Sequence, residues 1–152
     1  MIAISLRPSG RKWGTVSFAS TLHLCPVLDL LMADIPACWR DEVRLGLQEA
    51  LVNASKHGND LDPGKTVLVR FSIVGDRCSW IISDQGSGFN PSPTCQCQIE
   101  TPHLHDSHHV DECGRGLYIL HQVFDEVRWN AKGNELSLSK VIKKRGRVAS
   151  PV

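Results

Sequence analysis

The segment Glu49-Ala50-Leu51-Val52-Asn53-Ala54-Ser55-Lys56-His57-Gly58-Asn59 carries the strongest structural signal in the sequence. It continues a helical pattern that opens near Asp41-Glu42. In such a helix Glu49, Asn53 and His57 recur every four residues and share one stripe, because side chains at i and i+4 lie on the same face. The segment therefore predicts a helix with three polar groups pointing in one direction.

The residues around this stripe indicate whether it faces solvent or lines a site. Apolar residues cluster on one side of the helix, and two more fall nearly opposite: Val43, Leu47, Ala50, Leu51 and Ala54 on the first side, Leu45 and Val52 on the second. A helix that is apolar on two sides is covered on two sides. Glu49 and Asn53 are then expected in a crevice, where a carboxylate or amide is costly unless something binds it.

Composition limits the class of protein. The chain has 152 residues, of which 41% are hydrophobic, so a single domain with a substantial core is expected. Seventeen basic and sixteen acidic residues give a net charge of +1, which argues against direct binding of nucleic acid. The sequence contains neither an apolar run of about 18 residues nor an N-terminal apolar signal segment. It therefore predicts a cytoplasmic protein that does not enter the membrane.

Cysteine usage does not indicate a disulfide framework. Cys25, Cys38 and Cys78 occur singly in apolar surroundings, which is typical of small core residues. Cys95 and Cys97 are different, because they lie in a polar segment together with His103 and His105. Thiolate and imidazole are zinc ligands, so these four residues are candidates for a zinc site.

Hydrophobic periodicity and turn residues divide the chain into predicted elements. We expect residues 1–12 to form a loose leader, residues 13–143 one domain, and residues 144–152 a basic tail. Within the domain the pattern predicts a strand at 15–19, a helix at 27–35, and a second helix at 38–58 that ends at a Gly58-Asn59 stop. These are followed by a hairpin of strands 65–74 and 78–83, a helix reaching residue 124, and a hairpin of segments 125–130 and 135–143.

Two glycine-bearing segments follow the first hairpin. Asp84-Gln85-Gly86-Ser87-Gly88-Phe89 ends a strand, and its glycines allow the backbone to approach a ligand closely. Residues 90–113 contain three prolines and no periodicity, which predicts a lid or a mobile binding loop. Gly114-Arg115-Gly116-Leu117 then opens a helix, where free N–H groups and the helix dipole favour phosphate.

The order of these motifs resembles that of the GHKL ATPase superfamily: an E-x-x-x-N helix, a hairpin ending in D-x-G-x-G, a flexible segment and a G-x-G-L helix start. The resemblance covers roughly residues 41–143. Within this superfamily the sequence most resembles the bacterial anti-sigma-factor serine kinases. The similar parts are the His57-Gly58 ending of the first motif and the segment from Gly114 to Leu120, which is followed by Phe124-Asp125-Glu126-Val127. This resemblance implies an α+β fold: a two-layer sandwich of a mixed, mostly antiparallel sheet with helices on one face.

The resemblance also implies roles for individual residues. Asp84 would bind the adenine amine, and Gly86 and Gly88 would let the backbone lie against the nucleotide. Asn53 would bind Mg²⁺ through its side-chain oxygen. The glycine-rich helix start would hold the phosphates through Gly114, Arg115, Gly116 and Leu117. Glu49 would accept a proton from the attacking hydroxyl, as in phosphoryl transfer generally.

The function implied is an ATP- and Mg²⁺-dependent protein-serine kinase. It would bind a sigma factor, phosphorylate an anti-sigma-factor antagonist, and regulate transcription by partner switching; proteins of this kind commonly form homodimers. The residues by themselves leave two alternative functions open. The chain is a catalytically silent switch in which ATP binding shapes a partner surface, or it is a zinc or redox sensor centred on the lid.

Overall fold

A computed structural model describes residues 2–5, 13–88 and 112–143. These residues form an α+β fold in which three helices cover one face of a six-stranded sheet. The α+β class and the two-layer arrangement were predicted and are confirmed. All five strand pairings in the described part of the chain are antiparallel, whereas the sequence predicted a mixed sheet.

The elements follow the chain in this order: strands β1 (Ile2–Ser5) and β2 (Gly14–Ala19), helices α1 (Cys25–Met32) and α2 (Ala37–Val52), a π-helical segment (Asn53–Gly58), strands β3 (Thr66–Val74) and β4 (Arg77–Ser83), helix α3 (Glu112–Val123), and strands β5 (Glu126–Trp129) and β6 (Glu135–Val141). The sheet order is β1-β2-β3-β4-β6-β5. The predicted hairpins β3–β4 and β5–β6 are both present.

The core lies between the helices and one face of the sheet. Strands contribute alternate residues because successive side chains point to opposite faces, as in β4, where Cys78, Trp80 and Ile82 are buried. From the helical layer Leu47 and Leu120 are fully buried against them. The ring of Trp80 also makes an edge-to-face contact with Phe124, at 5.6 Å between centroids.

The N-terminal prediction needs correction. Residues 1–12 were expected to be a loose leader. Instead, all four residues of β1 pair with β2, from Ile2 opposite Phe18 to Ser5 opposite Thr15. Ile2 and Ile4 lie on the helix side of the sheet and are 43% and 48% exposed. This strand was missed because four residues are too short to show a period of two convincingly.

The cysteine prediction is also partly wrong. Cys78 is buried, as expected, but Cys25 and Cys38 are exposed. Each of these two lies in the first turn of a helix, α1 or α2. Apolar neighbours in sequence do not bury a residue at such a position, because only one side of a helix faces the core.

A buried lysine ties the helical layer to the last strand. Lys140 of β6 is 5% exposed, and its Nζ donates hydrogen bonds to Glu42 Oε1 at 2.9 Å and to the Val123 carbonyl. The same ammonium lies 4.8 Å from the centre of the Trp39 ring. Its three contacts connect β6 with the N-terminal half of α2 and the C-terminal end of α3. Among the described residues no helix is long and apolar enough to cross a membrane.

Candidate functional site

Helix α2 and the π-helical segment together carry the polar stripe predicted from the sequence. Glu49 and Asn53 lie one turn apart, and both are half-buried. His57 lies beyond the point where the hydrogen-bond pattern changes from i→i+4 to i→i+5 at Asn53, and it is exposed. The predicted helix over this region is confirmed, but its polar face consists of Glu49 and Asn53, with His57 exposed.

Helix α3 meets this stripe at a glycine. A Cβ atom placed on Gly116 would lie 3.3 Å from Glu49 Oε2, 3.5 Å from Asn53 Nδ2 and 3.6 Å from Asn53 Oδ1. The absence of a side chain at position 116 therefore leaves space directly in front of the carboxylate and the amide. In the sequence Gly116 is 63 or more positions away from both Asn53 and Glu49. The structure brings the three residues together, as predicted.

The same two helices touch at a second glycine. A Cβ atom on Gly46 of α2 would lie 2.6 Å from the ring of Phe124 and 2.8 Å from Val123 Cγ1. Gly46 precedes Asn53 by two helical turns, and Gly116 precedes Val123 by two turns, so the helices run antiparallel. One glycine contact is in the core and the other is at the polar stripe.

Helix α3 begins earlier than the sequence predicted. It starts at Glu112, two residues before Gly114. Because the N–H groups of the first turn of an α-helix lack partners within the helix, the free groups of α3 include those of residues 112–114. Gly114 is in this set. Arg115 is exposed, Gly116 contributes space, and Leu117 is half-buried against the core.

Asp84 lies at the other end of the π-helical segment. Its carboxylate packs against Gly58, where an added Cβ would overlap it, and Asp84 Oδ1 accepts a hydrogen bond from the Gly86 N–H at 2.9 Å. Asn53 and Gly58 bound the segment, so the polar stripe and Asp84 are separated by about 7 Å along the helix axis. The predicted Asp84 and the predicted Asn53 are thus at two ends of one helical segment.

Gly86 and Gly88 allow close approach of other backbone segments. On the side where a Cβ would be, each glycine packs against a carbonyl group of this chain. A side chain at Gly86 would overlap the Gly58 carbonyl, and one at Gly88 would overlap the Lys132 carbonyl. Gly88 also has a φ of 82°, which disfavours any other residue. Their predicted contact with a nucleotide stays a prediction, while their packing role is evident.

Burial and charge act on Asp84 in opposite directions. Burial raises the pKa of the Asp84 carboxyl, because it disfavours the charged form. The Gly86 hydrogen bond and the positive charges of Lys132 and Lys65 partly counter this rise in pKa. The site therefore holds a partly desolvated acceptor between two lysines.

The sequence did not identify Lys132 or Asn59 as part of this region. Lys132 lies in the β5–β6 turn, which reaches Asp84 because β6 pairs with β4 and the Asp84 N–H donates to the Asn134 carbonyl at 3.0 Å. No local signal predicts that pairing. Asn59 was interpreted as a helix stop, although it is fully buried and bonded through its side chain.

The predicted zinc candidates lie outside the described residues. They are Cys95, Cys97, His103 and His105. Within the described ranges no group of three or more histidine, cysteine or acidic residues is placed to hold a metal ion.

The donor set fits a magnesium-bound nucleoside triphosphate. Asn53 offers a hard amide oxygen of the kind that Mg²⁺ prefers, and the start of α3 offers free N–H groups to anionic phosphate. The space at Gly116 lies between these two features. At the far end of the segment, the partly desolvated Asp84 carboxylate suits an exocyclic amine.

Comparison with known protein families assigns the class that this fold and site indicate. Residues 29–140, well over half of the chain, match the histidine kinase-like ATPase domain. The chain belongs to this family. The resemblance to the GHKL superfamily that was inferred from its motifs is confirmed.

Individual relatives narrow the comparison to serine-protein kinases. The chain is 31% identical over 106 residues to the serine-protein kinase RsbW of Bacillus subtilis, covering 67% of this chain and 64% of the relative. It is 36% identical over 92 residues to RsbW of Bacillus velezensis, covering 58% and 55%. RsbW of Staphylococcus epidermidis is 32% identical over 110 residues, covering 68% and 67%. The match thus spans between about half and two thirds of the length of these relatives.

Proposed function

We propose that this protein is an ATP-dependent protein-serine kinase that also acts as an anti-sigma factor in the cytoplasm. Its substrate would be an anti-sigma-factor antagonist and its sequestered partner a sigma factor, so that phosphorylation switches the partner and regulates transcription. Membership of the ATPase family and similarity to proteins named serine-protein kinase support this proposal. The contact of Gly116 with both Glu49 and Asn53 is the observation that carries it.

Each residue near Gly116 has a separate task in this proposal. Magnesium-bound ATP supplies an activated phosphoryl group when it binds. Asn53 holds the metal through its amide oxygen, and the free N–H groups at the start of α3 stabilise phosphate charge, with the exposed Arg115 adding a positive charge. Glu49 lies one turn before Asn53 and receives the proton of the acceptor serine hydroxyl.

Asp84 selects the base in the same proposal. Its carboxylate accepts a hydrogen bond from the adenine amine, which a half-buried acceptor does more strongly than an exposed one. The Gly86 N–H and the positive charges of Lys132 and Lys65 favour the ionised form of this carboxyl and oppose the effect of burial on its pKa. Base recognition and phosphate binding therefore occupy opposite ends of the π-helical segment.

A transfer assay tests the proposal directly. The purified protein is mixed with labelled ATP, Mg²⁺ and candidate antagonist proteins, and label on the antagonist is measured. Glu49→Gln is expected to lower transfer by at least about a hundredfold while ATP binding changes little, since general-base catalysis contributes about 10²–10⁴-fold. Asp84→Asn is expected to lower ATP binding and transfer together.

Two results would argue against the proposal. Equal transfer by the wild type and Glu49→Gln would remove Glu49 from the chemistry. ATP binding without transfer to any antagonist, together with ATP-dependent capture of a sigma factor, would identify the silent binding switch instead. An exposed residue on the opposite face of α2, changed as Gln48→Glu, provides a matched control that adds no group to the stripe.

A further inference from the structure

Asn59 sits at a junction that the motifs do not explain. It follows the π-helical segment and its side chain is inaccessible to solvent. Its Nδ2 donates to Ser20 Oγ at 2.7 Å and to the Thr66 carbonyl at 3.1 Å, and its Oδ1 accepts the Gln85 N–H at 2.8 Å. One buried amide therefore joins the ends of β2, β3 and β4.

Gln85 completes the junction from the other side. Its Oε1 accepts hydrogen bonds from the Thr66 N–H at 2.6 Å and from Thr66 Oγ1 at 3.2 Å. Thr66 is thus bonded to Gln85 through its amide and to Asn59 through its carbonyl. The three residues form a closed ring of hydrogen bonds, which we call the Asn59–Thr66–Gln85 ring.

This ring connects the two ends of the candidate nucleotide site. Asn59 directly follows the segment that begins with Asn53, and Gln85 directly follows Asp84. A shift of Gln85 relative to Asn59 would move the Asp84 carboxylate relative to Asn53. The Asn59 side chain binds the backbone N–H of Gln85, so this hydrogen bond fixes the position of the loop itself.

We propose that Asn59 and Gln85 are positioning residues that set the Asp84 carboxylate for an exocyclic amine, and so determine the preference for ATP over a triphosphate lacking that amine. The inference rests on the proposed function, because it requires Asp84 to read the base. It adds Asn59 and Gln85, to which the motifs assign no role, to base discrimination. Neither residue contacts the base in this proposal, and both act through Asp84.

The test compares binding of ATP and of inosine triphosphate, which carries a carbonyl in place of the amine. Calorimetric titration with Mg²⁺ present gives both dissociation constants for the wild type, Asn59→Ala, Gln85→Ala and Asp84→Asn. We expect the wild type to prefer ATP, and each of the two ring variants to lower the preference about tenfold, the size of one charge-assisted hydrogen bond. Asp84→Asn should abolish the preference, because an amide can pair with either base.

A double variant and a control separate positioning from general destabilisation. Adding Gln85→Ala to Asp84→Asn should change the ATP preference no further, since the ring acts through the carboxylate. Ser20→Ala removes one acceptor of the Asn59 amide and leaves Gln85 bonded, so it should lower the melting temperature and leave the preference unchanged. Gln85 is exposed, so its variant is expected to fold even if Asn59→Ala does not.

The possible failures differ in kind. If the wild type does not prefer ATP, Asp84 does not read the base, and both the inference and its share of the proposed function are wrong. If the preference is present and Asp84→Asn abolishes it, but Gln85→Ala retains it, only the positioning inference is overturned. Equal weakening of both nucleotides in the ring variants would also overturn it, because a merely structural role lowers both affinities alike.

Discussion

The two glycines of the α2–α3 pair allow a prediction in which stability and binding change in opposite directions. Replacing Gly116 with alanine gains roughly 1 kcal/mol of helix propensity. The new methyl group would lie 3.3 Å from Glu49 Oε2 and about as close to the Asn53 amide, which is tight but does not overlap. Both side chains are half-buried and can shift by a few tenths of an ångström, so we expect unchanged or slightly higher stability.

Binding should suffer, because the methyl group occupies the space in front of Glu49 and Asn53. We expect Gly116→Ala to weaken binding of magnesium-bound ATP by at least about tenfold, or about 1.4 kcal/mol. Its melting temperature should stay equal or rise by up to about 4 °C, the shift expected from roughly 1 kcal/mol in a domain of this size. Thermal unfolding and calorimetric titration measure the two effects on the same sample.

Gly46→Ala is the matched control, since it is the same substitution in the same helix pair. Here the methyl group would lie 2.6 Å from the Phe124 ring and 2.8 Å from Val123, and both neighbours are buried. Overpacking of about 1–3 kcal/mol outweighs the helix propensity of about 1 kcal/mol, so stability should fall by up to about 2 kcal/mol. ATP affinity of the folded protein should change little. A Gly116→Ala protein that binds ATP normally but melts earlier would refute this reasoning.

Three further predictions follow from burial and charge. Asp84→Asn should be more stable than the wild type in urea at pH 7, and this difference in stability should shrink as the pH falls toward 3.8. Burial raises the pKa of the folded carboxyl above that ordinary value, so ionisation of Asp84 opposes folding. Cys78 should resist iodoacetamide at pH 8 while Cys25 and Cys38 react, as measured by mass spectrometry, because burial raises the pKa of the Cys78 thiol to about 11. Lys140→Met should lower the free energy of unfolding by about 1–3 kcal/mol, measured in urea, because it leaves a buried carbonyl without its donor.

Each of these three has a contrary result. A constant stability difference for Asp84→Asn between pH 4 and 7 would mean that burial does not affect this carboxyl. Rapid labelling of Cys78 in folded protein would place it at the surface. Lys140→Met should cost more than Arg44→Met, which breaks the ion pair with Asp29 at the surface. The reverse order would show that the Lys140 contacts contribute little.

Periodicity and motif order predicted most of the fold and the centre of the site. The alternation in β3 and β4 and the i+4 spacing of Glu49 and Asn53 are local signals, and the structure confirms the elements that they indicate. The proximity of Gly116 to both residues came from the resemblance to a family, since no local pattern relates positions so distant in sequence.

Features that depend on tertiary contacts were missed or misplaced. The change to an i→i+5 helix at Asn53 has no recognisable sequence signal, so the sequence predicted a continuous α-helix through residue 58. Asn59 was predicted as a helix stop, and the helical segment does end there. Its side-chain hydrogen bonds were missed, because its partners are Ser20, Thr66 and Gln85, which no local pattern relates to it. The pairing of β6 with β4, which brings Lys132 to Asp84, is likewise a matter of strand order, and periodicity does not specify order.

The strand order also has a kinetic consequence. The hairpins β3–β4 and β5–β6 join neighbours in the chain, whereas the pairings β2–β3 and β4–β6 join strands roughly fifty residues apart and must close large loops. The end of β4 is held on both sides of the sheet order: Asn59 binds the Gln85 N–H, and the Asn134 carbonyl binds the Asp84 N–H. A nascent or partly refolded chain would therefore acquire its helices and hairpins before it acquired affinity for a nucleotide, and added nucleotide would slow unfolding without accelerating folding.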